Sequence, residues 1–528
     1  MNCRERQICL MTRTEIRGAR MNTPHNPASF CIGSRKIGSI TRSESINRRA
    51  GVPPAKTLFG EGQLPMSHVP QDEKKPLSRR AFIKNAAGVA AGAAVASGIG
   101  KQARADVYKS ILPASVLGAN EKILTGHIGT GGMGRSNLGF VLQRDDMQPI
   151  AVCDLYDRNL KRGEQMVKQK FENVATYHDF RELLEMKDID AVVISTPDHW
   201  HCLCTLYAAD AKKDIYCEKP LSTTIQEGRA MVESVRRNKV VFQGGTMQRS
   251  GAHFQEAVEL VRSGYIGKVA FVETFSHETL PVEGIGPGDD DISKYPGCDW
   301  EFHQGWVEHR PFNTNRWIYH FRWFLEYSGG KITDWGAHLI DIALWALGED
   351  KQPKSVVAQG GKYVITDNRT TPDTLEVIWE YDDYLLTFCN RVYNAYTPQG
   401  YSDHGILFHG TLGTMRVDRG GYEVFSVPNN GGCEPKKQGG GPMNEPHWEN
   451  FVECIRSRKD PIVSVETLHN TTRACHMGTC SYVAGAKLFW DAENERFSGS
   501  GEAVEKANQW AYREYLNGWS LKPPYRIA

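Results

Sequence analysis

Residues 123–134 read Ile-Leu-Thr-Gly-His-Ile-Gly-Thr-Gly-Gly-Met-Gly. Ile123 to Ile128 has the apolar character of a short strand, with His127 as a polar intrusion. Gly129-Thr130-Gly131-Gly132-Met133-Gly134 follows as a G-x-G-x-x-G turn, and Arg135 to Gln143 reads as a helix. Pro149 to Cys153 is a second apolar strand, ending at Asp154, 20 residues after Gly134. A glycine pattern alone is common. Strand, turn, helix, strand and acid in this order form a dinucleotide-binding fingerprint. Gly129 permits the tight turn, Gly131 lets backbone approach a pyrophosphate, and Gly134 lets helix pack on strand; Gly132 and Met133 complete the turn. The helix N-terminus offers free N–H groups and positive dipole to phosphates. Asp154 can accept both ribose hydroxyls of NAD and would repel a 2′-phosphate, so NAD is expected over NADP.

The alternation continues downstream. Arg158–Phe171 and Asp179–Met186 read as helices, and Ala191–Ser195 as a buried strand ending in Thr196-Pro197. A helix closes over Asp210–Lys213. Ile215–Cys217 is a strand running into Glu218-Lys219-Pro220, Thr224–Asn238 a helix and Val240–Phe242 a strand. This is a doubly wound parallel sheet. Its ligand crevice lies at the strand C-termini, where Gly129, Asp154, Pro197 and Lys219 converge, and Thr196 and Glu218 are expected among the cofactor-binding residues.

Four motifs in register, GTGGMG, TPDHWH (196–201), EKP (218–220) and DWGAHLID (334–341), make residues 120–515 resemble the Gfo/Idh/MocA family, that of glucose–fructose oxidoreductase and inositol dehydrogenase. The resemblance implies an α/β fold: an N-terminal Rossmann sheet plus a C-terminal α+β domain with a large, mostly antiparallel open sheet. Val269–Phe275, Ser355–Tyr363, Thr374–Tyr381, Leu385–Val392, Gly405–Phe408 and Met415–Asp418 supply strands with period-two patterning. His447–Ser457 and Val465–Trp490 read as helices packing back on the first domain, and the glycine-rich 431–442 as a loop. The expected division is 120–247 for the NAD-binding domain, 248–430 for the substrate domain, and 431–528 for the loop and C-terminal helices.

The resemblance assigns Lys219, Asp334 and His338 to catalysis. Asp334 and His338 are four apart, so a helix would put them on one face. Each has a plain structural alternative: a helix cap, a core histidine, a solvated turn lysine. TPDHWH carries two histidines where one is commoner, and His201 is favoured over His199 as the one touching substrate or cofactor. No metal is expected: His199-Trp200-His201-Cys202 only superficially suggests one, without a paired CxxC or an HExxH. The expected reaction moves a hydride between a secondary hydroxyl of a sugar or cyclic polyol and the nicotinamide. His338 is the general base, Lys219 binds the reacting oxygen and Asp334 orients the sugar or His338. The alternatives are redox-neutral glycoside cleavage through a keto-sugar and a non-catalytic sensor. Trp317, Tyr319, Trp323 and Tyr327 are stacking candidates, with core packing the simpler reading. Arg316 and Arg322 are candidates for forking onto an acidic sugar, with an ion pair the simpler reading.

The chain has 528 residues, 40% hydrophobic and 24% charged, with net charge +1. This is globular composition, long enough for two or three domains. Residues 1–105 carry 18 Lys+Arg against 6 Asp+Glu, leaving 45 against 56 from residue 106 onward. An acidic body argues against nucleic acid as a partner. No downstream stretch reaches the ~18 apolar residues of a membrane span, so no transmembrane anchor is expected. Ser78-Arg79-Arg80-Ala81-Phe82-Ile83-Lys84, an Ala/Gly-rich run over 86–99 and Ala103-Arg104-Ala105 resemble a twin-arginine signal cleaved before Asp106. Residues 1–65 are then an unstructured or mis-assigned extension and 66–105 the signal. A periplasmic or otherwise exported location follows, with the twin-arginine machinery as partner. Twin-arginine substrates fold before export, so the ten cysteines beyond Ala105 are expected as thiols. An exported enzyme lacks a free nucleotide pool, so its NAD is expected to be tightly bound. A homo-oligomer through the open sheet is expected as well.

Overall fold

The computed structural model describes residues 122–397 and 402–525. The extension (1–65) and the signal (66–105) expected above lie outside the described residues.

The first layer follows from short, mostly buried strands alternating with helices. In chain order these are β1 (Ile123–Ile128), α1 (Gly132–Gln143), β2 (Met147–Cys153), α2 (Asp157–Lys168), β3 (Ala175–Tyr177), α3 (Phe180–Leu184), β4 (Ala191–Ile194), α4 (Asp198–Asp210), β5 (Asp214–Cys217), α5 (Ile225–Asn238) and β6 (Phe242–Gly244). The strands lie in the order β3-β2-β1-β4-β5-β6, every neighbouring pair parallel. Strand order reverses between β1 and β4, and the crevice outside their C-termini is the dinucleotide position of this fold. β3, unread in the sequence, is a three-residue edge strand without apolar alternation. α5 begins with a capping box, Thr224 Oγ1 accepting from Glu227 N while the Glu227 carboxylate accepts from Thr224 N.

The second layer contains α6 (Ala252–Arg262), β7 (Val269–His277), α7 (Trp300–Gln304), α8 (Lys331–Asp334), α9 (Gly336–Leu347), β8 (Ser355–Gly361), β9 (Thr374–Glu380), β10 (Leu385–Arg391), β11 (His404–Gly410), β12 (Gly413–Asp418), β13 (Gly421–Ser426), β14 (Lys436–Gly439), α10 (Asn444–Ser457), α11 (Val465–Ala484), β15 (Leu488–Asp491), β16 (Arg496–Ser498) and α12 (Glu502–Ala511). The ten strands run β14-β13-β12-β11-β7-β10-β9-β8-β15-β16. All neighbours are antiparallel except β7 and β10. One face is buried under α9 and α11: Ile340, Ile342, Met477 and Cys480 join Val377, Trp379, Leu386 and Phe388 in a single core. That burial, at about 25 cal/mol per Å2 of apolar surface, is the main force holding the layer together.

Two expectations are corrected here. The glycine-rich segment 431–442 contains β14, whose exposed Lys436–Gly439 pairs with β13 through the backbone ladder and one Lys437–Glu423 contact (3.4 Å). The helix expected over 465–490 stops at Ala484. Gly485 takes a left-handed conformation (φ 68°), which glycine adopts without a Cβ penalty. Leu488–Asp491 then alternates buried and exposed residues as β15 and pairs with β8. The large sheet therefore runs past residue 430 into the C-terminal segment.

α10 and α11 connect the layers. Trp448, Phe451 and Ile455 of α10 pack on Ile123, Val193 and Tyr216 of the parallel sheet. From α11, Thr472 Oγ1 accepts from Leu221 N (3.1 Å), and His476 Nε2 lies 2.9 Å from the Ser222 carbonyl. The turn that carries Lys219 is thus bolted to the second layer.

Candidate active site

A cleft of about 480 Å3 opens where the two layers face each other, outside the C-termini of β1, β2, β4 and β5. Gly129, Gly131, Gly132, Met133, Asp154, Thr196, Pro197, His201, Glu218, Lys219, Asp334 and His338 all line it. Gly134 is buried behind it.

The glycine turn is built for close approach. Gly129 has φ +85°, and a Cβ there would lie 2.7 Å from the Ser195 carbonyl oxygen. A Cβ on Gly134 would fall 1.9 Å from the Gly129 oxygen, so only glycine lets α1 begin this close to the turn. Gly131 and Gly132 have nothing within 4 Å of a built Cβ, which leaves open space facing the cleft. Asp154 is fixed by backbone N–H groups of two other residues: Oδ2 accepts from Thr130 N (2.8 Å) and Oδ1 from Tyr156 N (2.9 Å). Burial pushes its carboxyl above the ordinary range, against these hydrogen bonds. Thr196 Oγ1 is buried with no hydrogen-bond partner in the described structure. An open glycine cradle, a fixed acid and an orphaned hydroxyl along one wall fit a dinucleotide.

The opposite wall carries the reactive groups. Lys219 Nζ donates to Asp334 Oδ1 (2.5 Å) and to the Asp334 carbonyl (3.1 Å). Although burial opposes ionisation of Asp334, Lys219 and Arg322 hold its carboxyl well below the ordinary range. Asp334 is not the cap of α9. It ends α8, and Trp335 joins the two helices, so Asp334 and His338 reach the cleft across a helix junction. His338 is buried, and burial with Lys219 and Arg419 nearby holds its imidazole well below the ordinary value. Its Nδ1 has no hydrogen-bond partner in the described structure. A neutral imidazole facing the cleft beside a lysine–carboxylate pair is suited to taking a proton from a hydroxyl.

Other expected site residues brace this arrangement. Glu218 is buried; Oε1 accepts from Asn137 Nδ2 of α1 (2.9 Å), tying the EKP turn to the glycine-turn helix. His201 Nδ1 lies 2.7 Å from the Pro220 carbonyl and Nε2 3.0 Å from the Thr196 carbonyl, so it spans two cleft-forming turns. His199 lies outside the cleft lining, with Nε2 2.7 Å from the His303 carbonyl. Of the aromatic candidates, Trp317 and Tyr319 line the cleft, and Trp323 and Tyr327 are core. Arg322 lines the cleft and pairs with Asp334 at 3.8 Å, and Arg316 pairs with Glu326 at 3.2 Å, so the simpler reading of an ion pair holds for both.

The sequence reading missed Asp198 and Arg419. Asp198 lies within the quoted TPDHWH, lines the cleft, and accepts from Ser328 Oγ (2.5 Å). Burial pushes its carboxyl up to about 6. Arg419 follows β12, far from the other motifs in sequence, and only the sheet topology brings it to the cleft. Among the described residues no cluster of three or more metal-ligating side chains occurs, and no helix is long and apolar enough to cross a membrane. All ten cysteines beyond Ala105 are free thiols.

Comparison with known proteins fits this geometry. Residues 123–246 match the GFO/IDH/MocA model described as an oxidoreductase family with an NAD-binding Rossmann fold, and residues 297–416 match the GFO/IDH/MocA C-terminal domain. YrbE of Bacillus subtilis, an uncharacterised oxidoreductase, is 26% identical over 274 residues, 51% of this chain and 72% of that protein. An alpha-N-acetylgalactosaminidase of Shewanella oneidensis is 29% identical over 213 residues, 38% of this chain and only 46% of that protein. The fold is shared with an aldose-aldose oxidoreductase from Caulobacter crescentus solved with glycerol (TM-score 0.54, 18% identity, 70% of this chain and 100% of that one). With both domain models matched in order over the two layers, the chain carries the NAD-binding and C-terminal domains that the Gfo/Idh/MocA models describe, and it is an NAD(P)-dependent oxidoreductase acting on CH–OH groups.

Proposed function

We propose that this enzyme moves a hydride between a secondary hydroxyl of a sugar or cyclic polyol and an NAD that stays bound. The observation that carries the reading is the contact of Lys219 with both Asp334 oxygen types, beside an unpartnered His338, in the cleft that holds the glycine turn. The nicotinamide, when bound, supplies the hydride acceptor or donor. His338 takes the hydroxyl proton, Lys219 hydrogen-bonds the same oxygen, and Asp334 holds Lys219 in place. Lys219→Ala and His338→Ala should each lower turnover by at least ~10²-fold while NAD still binds. Near-normal turnover of His338→Ala at neutral pH would move the proton transfer to another group.

Asp154 favours NAD over NADP, since a carboxylate facing a 2′-phosphate is a like-charge contact. Calorimetry giving equal or tighter NADP binding would contradict this. Tight retention is supported by a strap from the second layer. Asp299 N donates to the Leu155 carbonyl and Asp157 N to the Gly297 carbonyl (both 3.1 Å), closing over the backbone just beyond Asp154. Trp317 packs edge-on against Tyr156 there, ring centroids 5.9 Å apart. Retained NAD suits the twin-arginine export read from residues 78–105. Native protein should begin at Asp106 and carry about one NAD(H) per chain. An intact Met66 or Met1 terminus would remove the export reading. A nucleotide-free preparation with saturable dependence on added NAD would remove the retention reading.

Self-association through the open sheet is supported by Phe271, Ile378, Leu385, Phe425 and Phe489, which share its outer face by register. Four of them are exposed large hydrophobics. A monomeric mass by light scattering would refute it. Redox-neutral glycoside cleavage remains the second reading, favoured by Asp198 as a buried carboxyl in the cleft able to act as an acid. Release of aglycone without net NADH would identify it.

A further inference from the structure

Arginines packed elsewhere in this chain are spent on protein oxygens. Arg249 lies 2.8 Å from Asp341, Arg369 2.7 Å from Asp367, Arg458 2.6 Å from Asp214 and Arg473 2.6 Å from Glu495. Arg513 donates to the Glu326 and Thr223 carbonyls. The two arginines lining the cleft are less fully engaged. Arg322 Nε is 3.8 Å from Asp334 Oδ2, beyond hydrogen-bond reach, and its guanidinium lies over Tyr319 at 4.2 Å. Arg419 gives Nε to Gln248 Oε1 (3.2 Å) and lies over Trp335 at 4.6 Å. Among the described residues no carboxylate comes within salt-bridge distance, 4.0 Å, of Arg419. Each guanidinium carries five N–H donors in a rigid fork. Aromatic rings and Gln248 support the two groups and leave most of those donors uncommitted.

The carboxylates around them are engaged elsewhere. Of the four that line the cleft with Lys219, Arg322 and Arg419, Asp334 is taken by Lys219, Glu218 by Asn137 and Asp154 by the Thr130 and Tyr156 N–H groups. Asp198 is engaged by Ser328. A neutral sugar filling this space would strip water from two guanidinium groups and return no charge, which is costly. The phosphates of a dinucleotide do not answer this need, because the glycine turn and the α1 N-terminus receive them, whereas both arginines stand against the Asp334–Trp335 wall.

We propose that the substrate is an acidic sugar, whose carboxylate or phosphate is gripped by Arg322 and Arg419 while its reacting hydroxyl faces His338 and Lys219. Forked, charge-assisted hydrogen bonds would satisfy the open donors and fix which carbon presents its hydroxyl. The inference rests on the reading of the cleft as an oxidoreductase site, and it supplies the substrate class that reading leaves open.

Calorimetric titration of the full chain as purified, with D-glucuronate, D-galacturonate, D-glucuronamide, D-glucose and D-glucose 6-phosphate, tests it alongside turnover. A charged sugar should bind at least ~10-fold more tightly than its neutral counterpart, and salt should weaken that preference. Uronates ahead of the 6-phosphate identify a carboxylate, and the reverse order a phosphate. Arg322→Gln and Arg419→Gln should each reduce the charged-to-neutral preference roughly 10- to 100-fold, the scale of a lost charge-assisted hydrogen bond. Arg419→Lys should retain part of it, which also guards against a glutamine variant that fails to fold. Equal binding of charged and neutral sugars, or unaltered preference in folded glutamine variants, overturns the proposal. Anion-dependent binding without any turnover would instead count against the oxidoreductase reading and leave the anion site standing.

Discussion

Replacing Gly131 and Gly134 separately by alanine divides the glycine turn into a part that serves the ligand and a part that serves the fold. At Gly134 the added Cβ would lie 1.9 Å from the Gly129 oxygen and 2.8 Å from its carbon, both backbone atoms. No rotamer change relieves that, so α1 or the turn must shift. Overpacking of this kind costs ~1–3 kcal/mol or more. At Gly131 a Cβ meets nothing within 4 Å, and the backbone is extended (φ −65°, ψ −155°), which alanine tolerates. Two small opposing effects remain: alanine is a poorer N-cap than glycine by roughly 0.5–1 kcal/mol, and it narrows the unfolded ensemble by ~0.4–1 kcal/mol. The net change in stability should therefore stay within about 1 kcal/mol. The same methyl group fills the space through which a pyrophosphate approaches the α1 N-terminus. Displacing the phosphates weakens at least one charge-assisted hydrogen bond, ~1.5–3 kcal/mol, or roughly 10- to 100-fold in affinity. Chemical unfolding and NAD calorimetry on both variants read the two quantities apart. Gly131→Ala should keep its stability and lose NAD, and Gly134→Ala should lose both. Undiminished NAD affinity in Gly131→Ala would refute the placement of the pyrophosphate, and an unaltered stability in Gly134→Ala would refute the packing account.

Asp198 gives a pH test. Burial raises its folded pKa to about 6, above the ordinary carboxylate value of 3.8, so the folded chain keeps a proton that the unfolded chain has lost. The associated stability is full near pH 4 and declines as pH rises to about 6. Asp198→Asn should then stabilise the protein at pH 7 by on the order of 1–3 kcal/mol, with the gain vanishing toward pH 4; a variant no more stable than wild type at pH 7 would contradict the burial. Thr472→Val leaves the buried Leu221 N–H without its acceptor. It should cost ~1–3 kcal/mol in chemical unfolding and lower turnover by loosening the turn that carries Lys219; full activity would show that α11 does not position it.

How far the site could be read in advance follows from how local each signal is. The glycine turn, Asp154 and the TPD and EKP segments all hang on strand ends of one parallel sheet. Their convergence is therefore dictated by the alternation of strand and helix that apolar periodicity reveals. Asp334 and His338 were legible as a pair through spacing, but their geometry was not: a break at Trp335, between α8 and α9, delivers them to the cleft, and no helical period encodes a break. β14 was hidden because Lys436–Gly439 is exposed throughout, and its strand character comes only from pairing with β13. Asp198 was hidden by its company, since an acid at the start of a helix reads as an ordinary first-turn residue until burial and Ser328 are known. Arg419 lies 81 residues beyond His338, in a turn of glycines, and nothing near it in sequence marks it. Its place is set by the crossing order of the ten-stranded sheet, which puts the end of β12 over Trp335. The groups shared by sequence motif lie on the cofactor and hydride side of the cleft, where the chemistry is constant. On the Asp334–Trp335 wall, Arg419 is supplied by topology alone, and Arg322 was legible only as one of two candidate arginines. The reaction class is therefore legible from short motifs, whereas the residues proposed to select the substrate depend on long-range contacts.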